Sequence, residues 1–465
     1  MLPTLPRHLL TPLIIATALF MENLDATVIS TSLPAIAQDL GVNPIALKLA
    51  LTSYLVSLAV FIPISGWMAE RFGTRRVFRA AIVVFATGSL LCALSSSLVG
   101  FVAARFIQGM GGAMMVPVGK LVILRSTAKA DLVRAMGYVT MPALVGPVLG
   151  PLLGGFISTY FHWRWIFLIN LPIAALGLIL AGRYIANLRD EHVPPLDWAG
   201  FALTGLGLSL AMLGLATEGK HMLSVAWSTA LVLTGALLLA IYPAYARRHS
   251  HPVLKLSLLR IPTFNASVLG GFLFRAGMGS TPFLLPLMLQ LGFGLTPFQS
   301  GMLTCSTAIG AIFMKTMVSR VLARFGFRRV LLINSVLCGA SFAAYGLFDA
   351  HSPHWLMLLT FLLGGCLRSL QFTSLNTLAF ADIRQQDMSH ASTLSSVGMQ
   401  LASGLGVTLA AFALQGIASW QGHSVLQSSD FSWAFLVMGV LAMLSTLQFR
   451  RLSPQAGAAL AQTAG

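Results

Sequence analysis

The sequence is poor in charge for its length, and poorest in acidic residues. Of its 465 residues, 13 are Asp or Glu and 29 are Lys or Arg, so charged residues make up only 9% of the chain. Soluble domains carry about 25% charged residues. Together with a hydrophobic content of 56%, this scarcity excludes a set of soluble domains and indicates a polytopic membrane protein.

Residues that form metal sites, nucleophilic sites and disulfide frameworks are also scarce. The four cysteines all lie in apolar runs, which predicts free packing residues: Cys92, Cys305, Cys338 and Cys366. The sequence contains no HEXXH motif, no CXXC motif and no histidine well inside an apolar run. We therefore expect no enzymatic activity, no metal site and no cofactor.

Long apolar runs are abundant. A bilayer core needs about 20 apolar residues per helix, and fourteen runs approach this length, at 10–32, 46–68, 77–97, 99–122, 135–158, 165–186, 198–217, 225–245, 264–290, 297–320, 328–348, 354–378, 391–418 and 431–449. The sequence thus predicts an all-α protein with fourteen transmembrane helices.

The net charge of +16 is distributed in a way that argues against a nucleic-acid partner. Basic residues concentrate in alternate loops, which is typical of the positive-inside bias of proteins that cross a lipid bilayer. The basic loops include Arg71, Arg75, Arg76 and Arg79; Arg247, Arg248, Lys255 and Arg260; Arg320, Arg324, Arg328 and Arg329; and Arg450 and Arg451. This pattern predicts that both termini lie in the cytoplasm.

A short basic turn occurs twice. Residues 70–77 read Glu-Arg-Phe-Gly-Thr-Arg-Arg-Val, and residues 323–330 read Ala-Arg-Phe-Gly-Phe-Arg-Arg-Val, 253 positions later. The same offset carries Pro44 onto Pro297 and the glycine pair 111–112 onto the pair 364–365. Three matches at one offset predict two homologous six-helix bundles.

Residues 187–262 have no counterpart in this repeat. They contain a polar loop, two apolar runs and a second basic loop, so we interpret them as a helix pair inserted between the bundles, in a 6+2+6 arrangement. The predicted units are an N-terminal bundle (1–186), the inserted pair (187–262), a C-terminal bundle (263–452) and a short disordered tail (453–465).

The first apolar run contains Glu22 and Asp25. An ionised side chain at mid-membrane costs about 2.5–3.5 kcal/mol on insertion scales, so such residues usually have a function. We interpret both as protonatable cavity residues; the alternative is a pair of neutral acids hydrogen-bonded within the bundle. Arg105 lies at a depth similar to that of Asp25, which makes a partnership geometrically possible, although an arginine snorkelling to the interface would also fit.

Polar residues in the second half point to a cavity between the bundles. Arg275 occupies the position equivalent to Glu22, and two parallel halves would place both residues at similar depth across a central cavity; the alternative is that Arg275 pairs within its own half. The predicted cavity residues are Glu22, Asp25, Arg275, Arg368, Gln371, Asn376 and Gln400.

Three motifs resemble those of the major facilitator superfamily, and within it the fourteen-helix drug:proton antiporters (EmrB/QacA-like). The loop after the second run matches through Gly66, Glu70, Arg71, Gly73, Arg75 and Arg76, and the fourth run through Arg105, Gln108, Gly109 and Gly111. The fifth run matches the antiporter motif through Gly146, Pro147, Gly150, Pro151, Gly154 and Gly155. Residues 112–119 and Lys315 resemble the MdtD-type subgroup of inner-membrane transporters.

The resemblance implies roles for several residues. Asp25 would be the first-helix acid and Arg105 the coupling arginine, with Glu22 as a further proton-coupling candidate; the loop motif would take part in gating, and the fifth-helix motif goes with export. Three features depart from the pattern: Glu70 replaces the usual Asp, Ser30 and Ser32 replace the commoner Asn and Ala of the first-helix motif, and the thirteenth run lacks the acid found in relatives that export dications.

These observations predict a proton-coupled antiporter in the bacterial inner membrane, monomeric and driven by the proton gradient alone, that exports small amphipathic molecules by alternating access. Intramembrane cations outnumber acids, which favours a neutral or anionic substrate. The alternative is proton-coupled uptake, or export of one specific metabolite such as a siderophore or organic acid. A passive channel would need a filter loop or a continuous polar lining, and the sequence has neither.

Overall fold

The computed structural model describes residues 7–126, 132–190, 193, 195–217, 224–249, 252–384, 387–423 and 425–457. These residues form helices joined by short turns. In a bilayer each backbone polar group needs a partner within the protein, and a helix provides one for almost every residue of an apolar segment.

Seven helices form the N-terminal half: α1 Arg7–Asp39, α2 Lys48–Phe72, α3 Thr74–Leu94, α4 Leu98–Ser126, α5 Leu132–Tyr160, α6 Trp165–Leu168 and α7 Asn170–Tyr184. The main packing pairs are α1 with α5, α2 with α4 and α3 with α4. The short helix α6 leads directly into α7, so six membrane-length segments make up this half.

The inserted segment contains α8 Trp198–Thr217 and α9 Val225–Ala246. The two helices pack against each other, and α8 also packs against α2 and against the long helix at Met388–Trp420. Asp197 caps the start of α8, where its Oδ1 accepts hydrogen bonds from the Gly200 amide at 2.8 Å and from the Tyr245 hydroxyl of α9 at 2.5 Å. The buried Asp197 carboxylate therefore connects the start of α8 to the last turns of α9.

The C-terminal half contains α10 Pro262–Asn265, α11 Gly271–Gly279, α12 Thr281–Leu287, α13 Pro297–Lys315, α14 Val318–Phe325, α15 Phe327–Tyr345, α16 His354–Ala379, α17 Met388–Trp420, α18 Ser428–Leu444 and α19 Thr446–Phe449. Two π-helical segments, Ala266–Gly270 and Met288–Gly292, interrupt the first span of this half. Such segments mark local departures from regular helix packing.

The two copies of the basic turn have the same backbone shape. Gly73 and Gly326 each separate two helices, with φ angles of 95° and 73°. Only glycine adopts these angles without strain. Two prolines 253 positions apart also have equivalent places, because Pro44 opens a 3-10 turn before α2 and Pro297 opens α13.

Within the described residues, twelve helices are long and apolar enough to cross a membrane, so the chain is a multi-pass membrane protein. A thirteenth span results if α13 and α14, which meet at a 58° bend, are counted as one. The remaining predicted run corresponds to α5, in which Val145–Tyr160 is a shorter apolar helix. The count of fourteen is therefore not confirmed here.

The two halves are hydrogen-bonded to each other on one side of the bundle. We call the side of the turns 70–76 and 323–330 the basic face, and the other side the opposite face. Three hydrogen bonds join described residues of the two halves: Gln290 to Thr31 O at 2.8 Å, the Phe298 amide to Thr159 at 3.0 Å, and Thr52 with Thr408 at 3.5 Å. The first two lie near the opposite face, where α5 also packs directly on α13.

The C-terminal segment is described as far as residue 457. Leu452 and Ala456 pack on the hydrophobic core, and Gly457 lies against Phe327 of α15. The rest of the predicted disordered tail, residues 458–465, lies outside the described residues.

Candidate functional site

A buried ion pair joins α1 to α4. Arg105 Nη1 donates to Asp25 Oδ2 at 2.6 Å, and the two side chains are 1% and 0% exposed. The predicted partnership between these residues is thus present in the structure. Because a buried charge is stable only when it is paired and hydrogen-bonded, each residue accounts for the presence of the other.

Uncharged side chains contribute further hydrogen bonds to this network, although Arg105 Nε and Asn170 Oδ1 have no partner among the described residues. Asp25 Oδ1 accepts hydrogen bonds from Gln108 at 2.8 Å and Asn170 at 2.9 Å, and both amides also donate to the Ser89 hydroxyl. Gln108 Oε1 accepts from Arg105 at 2.6 Å. We call Asp25, Ser89, Arg105, Gln108 and Asn170 the buried polar network.

Sequence reasoning missed two of its members. Asn170 begins α7 and Ser89 lies in α3, both in apolar surroundings. The available signal was an uncharged polar side chain inside a membrane span, which needs a partner just as a charge does.

Aromatic rings surround the arginine. The Tyr54 ring lies 4.3 Å and the Phe167 ring 5.9 Å from the Arg105 guanidinium carbon. A cation over an aromatic face is attracted by the ring quadrupole, more strongly where water is excluded. Arg105 is therefore held from two sides.

Glu22 lies outside this network. It is half-buried, its Oε2 atom is buried, and that atom has no hydrogen-bond partner among the described residues. The Tyr54 hydroxyl is buried and equally without a partner. Of the two acids in the first apolar run, the structure engages Asp25 fully and leaves Glu22 available.

Arg275 in α11 has no carboxylate partner among the described residues. It is 1% exposed and donates to Ser267 O at 2.8 Å and to Asn376 Oδ1 at 3.1 Å, and its Nε atom has no partner. The structure does not bring Arg275 into ion-pair contact with Glu22. The two residues at equivalent positions are thus both incompletely satisfied.

The other predicted cavity residues lie in different surroundings. Gln371 is buried inside the C-terminal half, where it bonds Asn334 and Leu331 O, so its polar atoms are used in packing. Asn376 is exposed at its contact with Arg275. Arg368 and Gln400 are half-buried, without a hydrogen bond or ion pair to any described residue.

The loop motif binds the segment that follows α7. Thr74 N donates to Leu188 O at 2.9 Å, and the Asp190 amide donates to Glu70 O at 3.1 Å. A side chain at Gly73 would overlap Asn187. Residues 186–190, which we call the strap, therefore lie along the basic turn.

An ion-pair cluster fastens the strap. Arg125 at the end of α4 makes two hydrogen bonds to the Asp190 carboxylate, at 2.9 and 2.8 Å, and a longer contact to Glu70 at 3.4 Å. Hydrogen bonding and the charge of Arg125 lower the pKa of the Asp190 carboxyl from its usual value. Arg71 and Arg76 are exposed, and Arg75 is half-buried.

The fifth-helix motif lies at two helix contacts. A Cβ atom at Gly146, Gly150 or Gly154 would overlap α1, and one at Gly155 would lie 2.3 Å from Pro297 O of the other half. Pro151 O accepts a hydrogen bond from Thr31 at 3.2 Å. Small residues let the backbones approach closely, so this motif joins α5 both to its own half and to the other.

A separate cleft lies between α2, α4 and α8. It measures about 460 Å³ and is mostly apolar, with lining residues Leu49, Thr52, Ser53, Val56, Leu98, Val99, Val102, Ala103, Phe106, Ser209, Met212, Leu213, Ala216 and Thr217. None of the predicted cavity residues lines it. Since α8 belongs to the inserted pair, this pair forms one wall of the cleft.

The family model of the Major Facilitator Superfamily matches the chain twice, over residues 15–270 and 267–464. The chain belongs to the major facilitator superfamily. Among curated members it is similar to the putative multidrug resistance protein MdtD of Salmonella heidelberg, with 38% identity over 448 residues and 94% of each chain covered. It is also similar to the probable transport protein HsrA of Haemophilus influenzae, with 36% identity over 445 residues and 95% of each chain covered.

These relatives place the chain in the MdtD-type subgroup of the superfamily, as its motifs predict. It is a transporter of small molecules and not an enzyme. Solved structures share the fold at low identity. The peptide-transporter-family member PepTSo superposes with a TM-score of 0.72 at 15% identity, covering 99% of each chain. A D-xylose–proton symporter has a TM-score of 0.69 at 14% identity, covering 96% of this chain and 98% of its own.

Proposed function

We propose that this chain is a proton-coupled antiporter that exports small amphipathic molecules, including drugs, across the bacterial inner membrane by alternating access. In this proposal the chain has fourteen transmembrane helices in a 6+2+6 arrangement, acts as a monomer, and has both termini in the cytoplasm. The basic face is then the cytoplasmic face, in agreement with the positive-inside bias.

The observation that carries the proposal is the buried polar network beside Glu22. An ionisable carboxyl inside a transporter span is expected to serve ion coupling. One proton moving inward contributes about 2.3 kcal/mol per 100 mV. At 1.36 kcal/mol per factor of ten, this supports a substrate gradient of roughly 50-fold.

The one-sided hydrogen bonding between the halves supports alternating access. Gln290 and Phe298 bond the N-terminal half near the opposite face. Asn376, which accepts a hydrogen bond from Arg275, is exposed and lies nearer the basic face. A state closed at one face implies, for a transporter, a second state closed at the other. Rocking of two repeats about a central site is the usual form of this change.

The balance of paired and unpaired charges favours a neutral or anionic substrate. Asp25 is neutralised by Arg105, whereas Arg275 and Arg368 have no acidic partner among the described residues. An arginine recognises a carboxylate through paired hydrogen bonds. Export of one specific organic acid or siderophore, or proton-coupled uptake, is the alternative.

The test is transport in liposomes with ethidium as the cation, chloramphenicol as the neutral probe and nalidixate as the carboxylate. We expect counterflow that needs a proton gradient and stops with a protonophore, for nalidixate or chloramphenicol more than for ethidium. Replacing Arg275 by Gln should reduce nalidixate transport and spare chloramphenicol. The matched control is Arg329→Gln, an exposed arginine of the basic turn.

Proton release on addition of each probe to detergent-purified protein gives an independent readout. Binding of probes without release in every case would reject antiport. Tight binding of ethidium with no response to nalidixate would reject the predicted charge class. Counterflow that continues after the gradient is collapsed would favour a facilitator.

A further inference from the structure

Two neighbouring groups of the N-terminal half contain buried polar atoms without partners. They are the Glu22 carboxyl of α1, through Oε2, and the Tyr54 hydroxyl of α2, and no described residue bonds either atom. A Cβ atom built at Gly112 of α4 would lie 3.1 Å from the Tyr54 hydroxyl oxygen, 3.3 Å from Leu58 Cδ2 and 3.6 Å from Glu22 Oε1. The Tyr54 hydroxyl and the Glu22 carboxyl thus both lie beside Gly112, where a larger side chain would crowd them.

Buried polar groups without partners are rare in native proteins, and each requires an explanation. Tyr54 is 3% exposed, so bulk water does not satisfy it. Its ring has a separate role, because it packs 4.3 Å from the Arg105 guanidinium carbon. The ring thus belongs to the surroundings of the buried polar network, while the hydroxyl lies beside Gly112, as the Glu22 carboxyl does.

Asp25, the other acid of the first apolar run, is by contrast fully hydrogen-bonded. Both oxygens of Asp25 accept hydrogen bonds, from Arg105, Gln108 and Asn170. A proton on Asp25 would leave Arg105 without a counter-charge in a site that excludes water, and it would displace an amide donor. No such contact opposes a proton on Glu22.

The ionisable groups that face Glu22 come from three helices. They are Asp25 on its own helix, Tyr54 on α2 and Lys120 on α4. Asp25 is already neutralised by Arg105, and Lys120 is exposed. The geometry therefore leaves Glu22 free to gain or lose a proton without breaking another contact.

We propose that Glu22, Tyr54 and Gly112 form a binding subsite for one hydrogen-bond donor, shared in turn by the exchanged proton and by an N–H or O–H group of the substrate. The proton resides on the Glu22 carboxyl. When the substrate arrives, this proton leaves to water and the substrate donates to the resulting carboxylate. Asp25 remains ionised throughout. This inference rests on the proposed antiport and assigns its proton to one residue.

Infrared difference spectroscopy of the reconstituted protein between alkaline and acidic pH tests the proton position without any substrate. We expect a carbonyl band of a protonated carboxylic acid at acidic pH that disappears in Glu22→Gln and shifts, without disappearing, in Tyr54→Phe. The same band should remain in Asp25→Asn. If that variant does not fold, Glu22→Gln alone decides, because a band that persists there overturns the assignment.

Filling the subsite tests its second role. Gly112→Ala adds one methyl group against the Tyr54 hydroxyl and leaves every charge in place. We expect proton release on addition of chloramphenicol to fall at least tenfold in Gly112→Ala. Gly416→Ala is the control, since no atom lies within 4 Å of a Cβ built there. Unchanged release in Gly112→Ala would overturn the shared subsite.

The outcomes distinguish this inference from the proposed function. If no probe causes proton release in the wild type while the infrared band still depends on Glu22, antiport fails and the proton assignment stands. If release occurs and the band depends on Asp25 instead, antiport stands and the assignment fails.

Discussion

The two halves of the molecule place opposite chemistry at equivalent positions. In the N-terminal half four positions of the buried polar network are polar and hydrogen-bonded; 253 positions later the corresponding residues are apolar. Asp25, Ser89, Arg105 and Gln108 correspond to Met278, Phe342, Leu358 and Phe361. Three of these apolar residues lie in the hydrophobic core, whereas Leu358 is 40% exposed.

Two of the C-terminal positions, Phe342 and Phe361, belong to an aromatic cluster. The Phe361 ring lies 4.8 Å from that of Tyr345, and the Phe342 ring lies 4.9 Å from that of Phe435, both edge-to-face. Such pairs contribute about 0.5–1.5 kcal/mol beyond the area they bury. These four rings can stabilise the C-terminal half, and none of them carries a carboxyl group.

The glycine pairs show the same division at smaller scale. Gly112 lies against side chains, with 3.1 Å between a built Cβ atom and the Tyr54 hydroxyl, whereas its counterpart Gly365 lies against the backbone of Thr307, the counterpart of Tyr54, with only 2.0 Å between a built Cβ atom and the Thr307 oxygen. In the first half the glycine leaves room for side chains; in the second it permits close contact of two helices. An identical residue at an equivalent place thus has two uses.

The largest expected effect comes from removing the charge that balances Asp25. Arg105→Met should lower the free energy of unfolding by about 3–5 kcal/mol, because a buried carboxylate remains without its partner. Leu358→Met, at the equivalent position, should cost less than about 1.5 kcal/mol, because it conserves volume in apolar surroundings. Equilibrium unfolding in mixed micelles measures both.

Arg105→Lys separates charge from geometry in the same assay. It keeps the positive charge but loses the planar guanidinium that bonds both Asp25 and Gln108. We expect an intermediate loss. Equal stabilities for Arg105→Met and Leu358→Met would mean that the buried polar network does not hold the N-terminal half together.

The sequence predicted the features of this comparison that depend on where charged residues lie and on the spacing of repeated motifs. Apolar runs and the 253-residue offset indicate membrane helices and two related halves, and a charge inside a span requires a partner, so the Asp25–Arg105 pair was within reach. Asn170 and Ser89 were not, because a neutral polar residue in a span is compatible with many partners. The strap also escaped prediction: Leu188 and Asp190 bind the basic turn through backbone hydrogen bonds that no residue pattern encodes.

The predicted cavity residues show most clearly what could not be predicted from the sequence. Depth along a helix follows from residue number, so Glu22 and Arg275 could be placed at similar depth. The direction in which a side chain points depends on how the helices pack and on the conformational state. Gln371 was therefore predicted in the cavity, although it is bonded to Asn334 inside its own half.

A smaller effect, of opposite sign, is expected from Arg275. Arg275→Met should raise the free energy of unfolding by about 1–3 kcal/mol, since it removes a buried charge that has no acidic partner among the described residues. Met fills irregular space well. Replacement of a buried arginine by methionine would then destabilise the N-terminal half at position 105 and stabilise the C-terminal half at position 275.

Arg275→Lys is the control for this sign. It retains a buried charge without an acidic partner, so it should not raise stability in the mixed-micelle assay. Loss of stability in Arg275→Met would show that the arginine has a structural counter-charge. The two halves would then differ only in which acidic residue pairs with the buried arginine.

The smallest effect concerns the two basic turns. The first is fastened to the strap by an ion pair, whereas the second contacts Arg450 and Gly457 and makes no ion pair with a described residue. The Asp190–Arg125 pair is partly exposed, at 42% and 30% of the side chains, so it should contribute less than about 1 kcal/mol. Because Arg125 lowers the pKa of Asp190, this contribution is complete above the unfolded value near 3.9. It is lost as the pH falls through the lower folded value.

Asp190→Asn should therefore lower the melting temperature slightly at neutral pH and not at all once the wild-type carboxyl is protonated. Arg125→Gln should give the same pH profile, because it removes the other partner. Ala323→Glu in the second turn is the reciprocal change: the turn gains an acid but lies next to no strap, so its stability should not depend on pH in this way. A pH-independent difference for Asp190→Asn would show that backbone bonds alone, from Thr74 and Asp190, hold the strap on the basic turn.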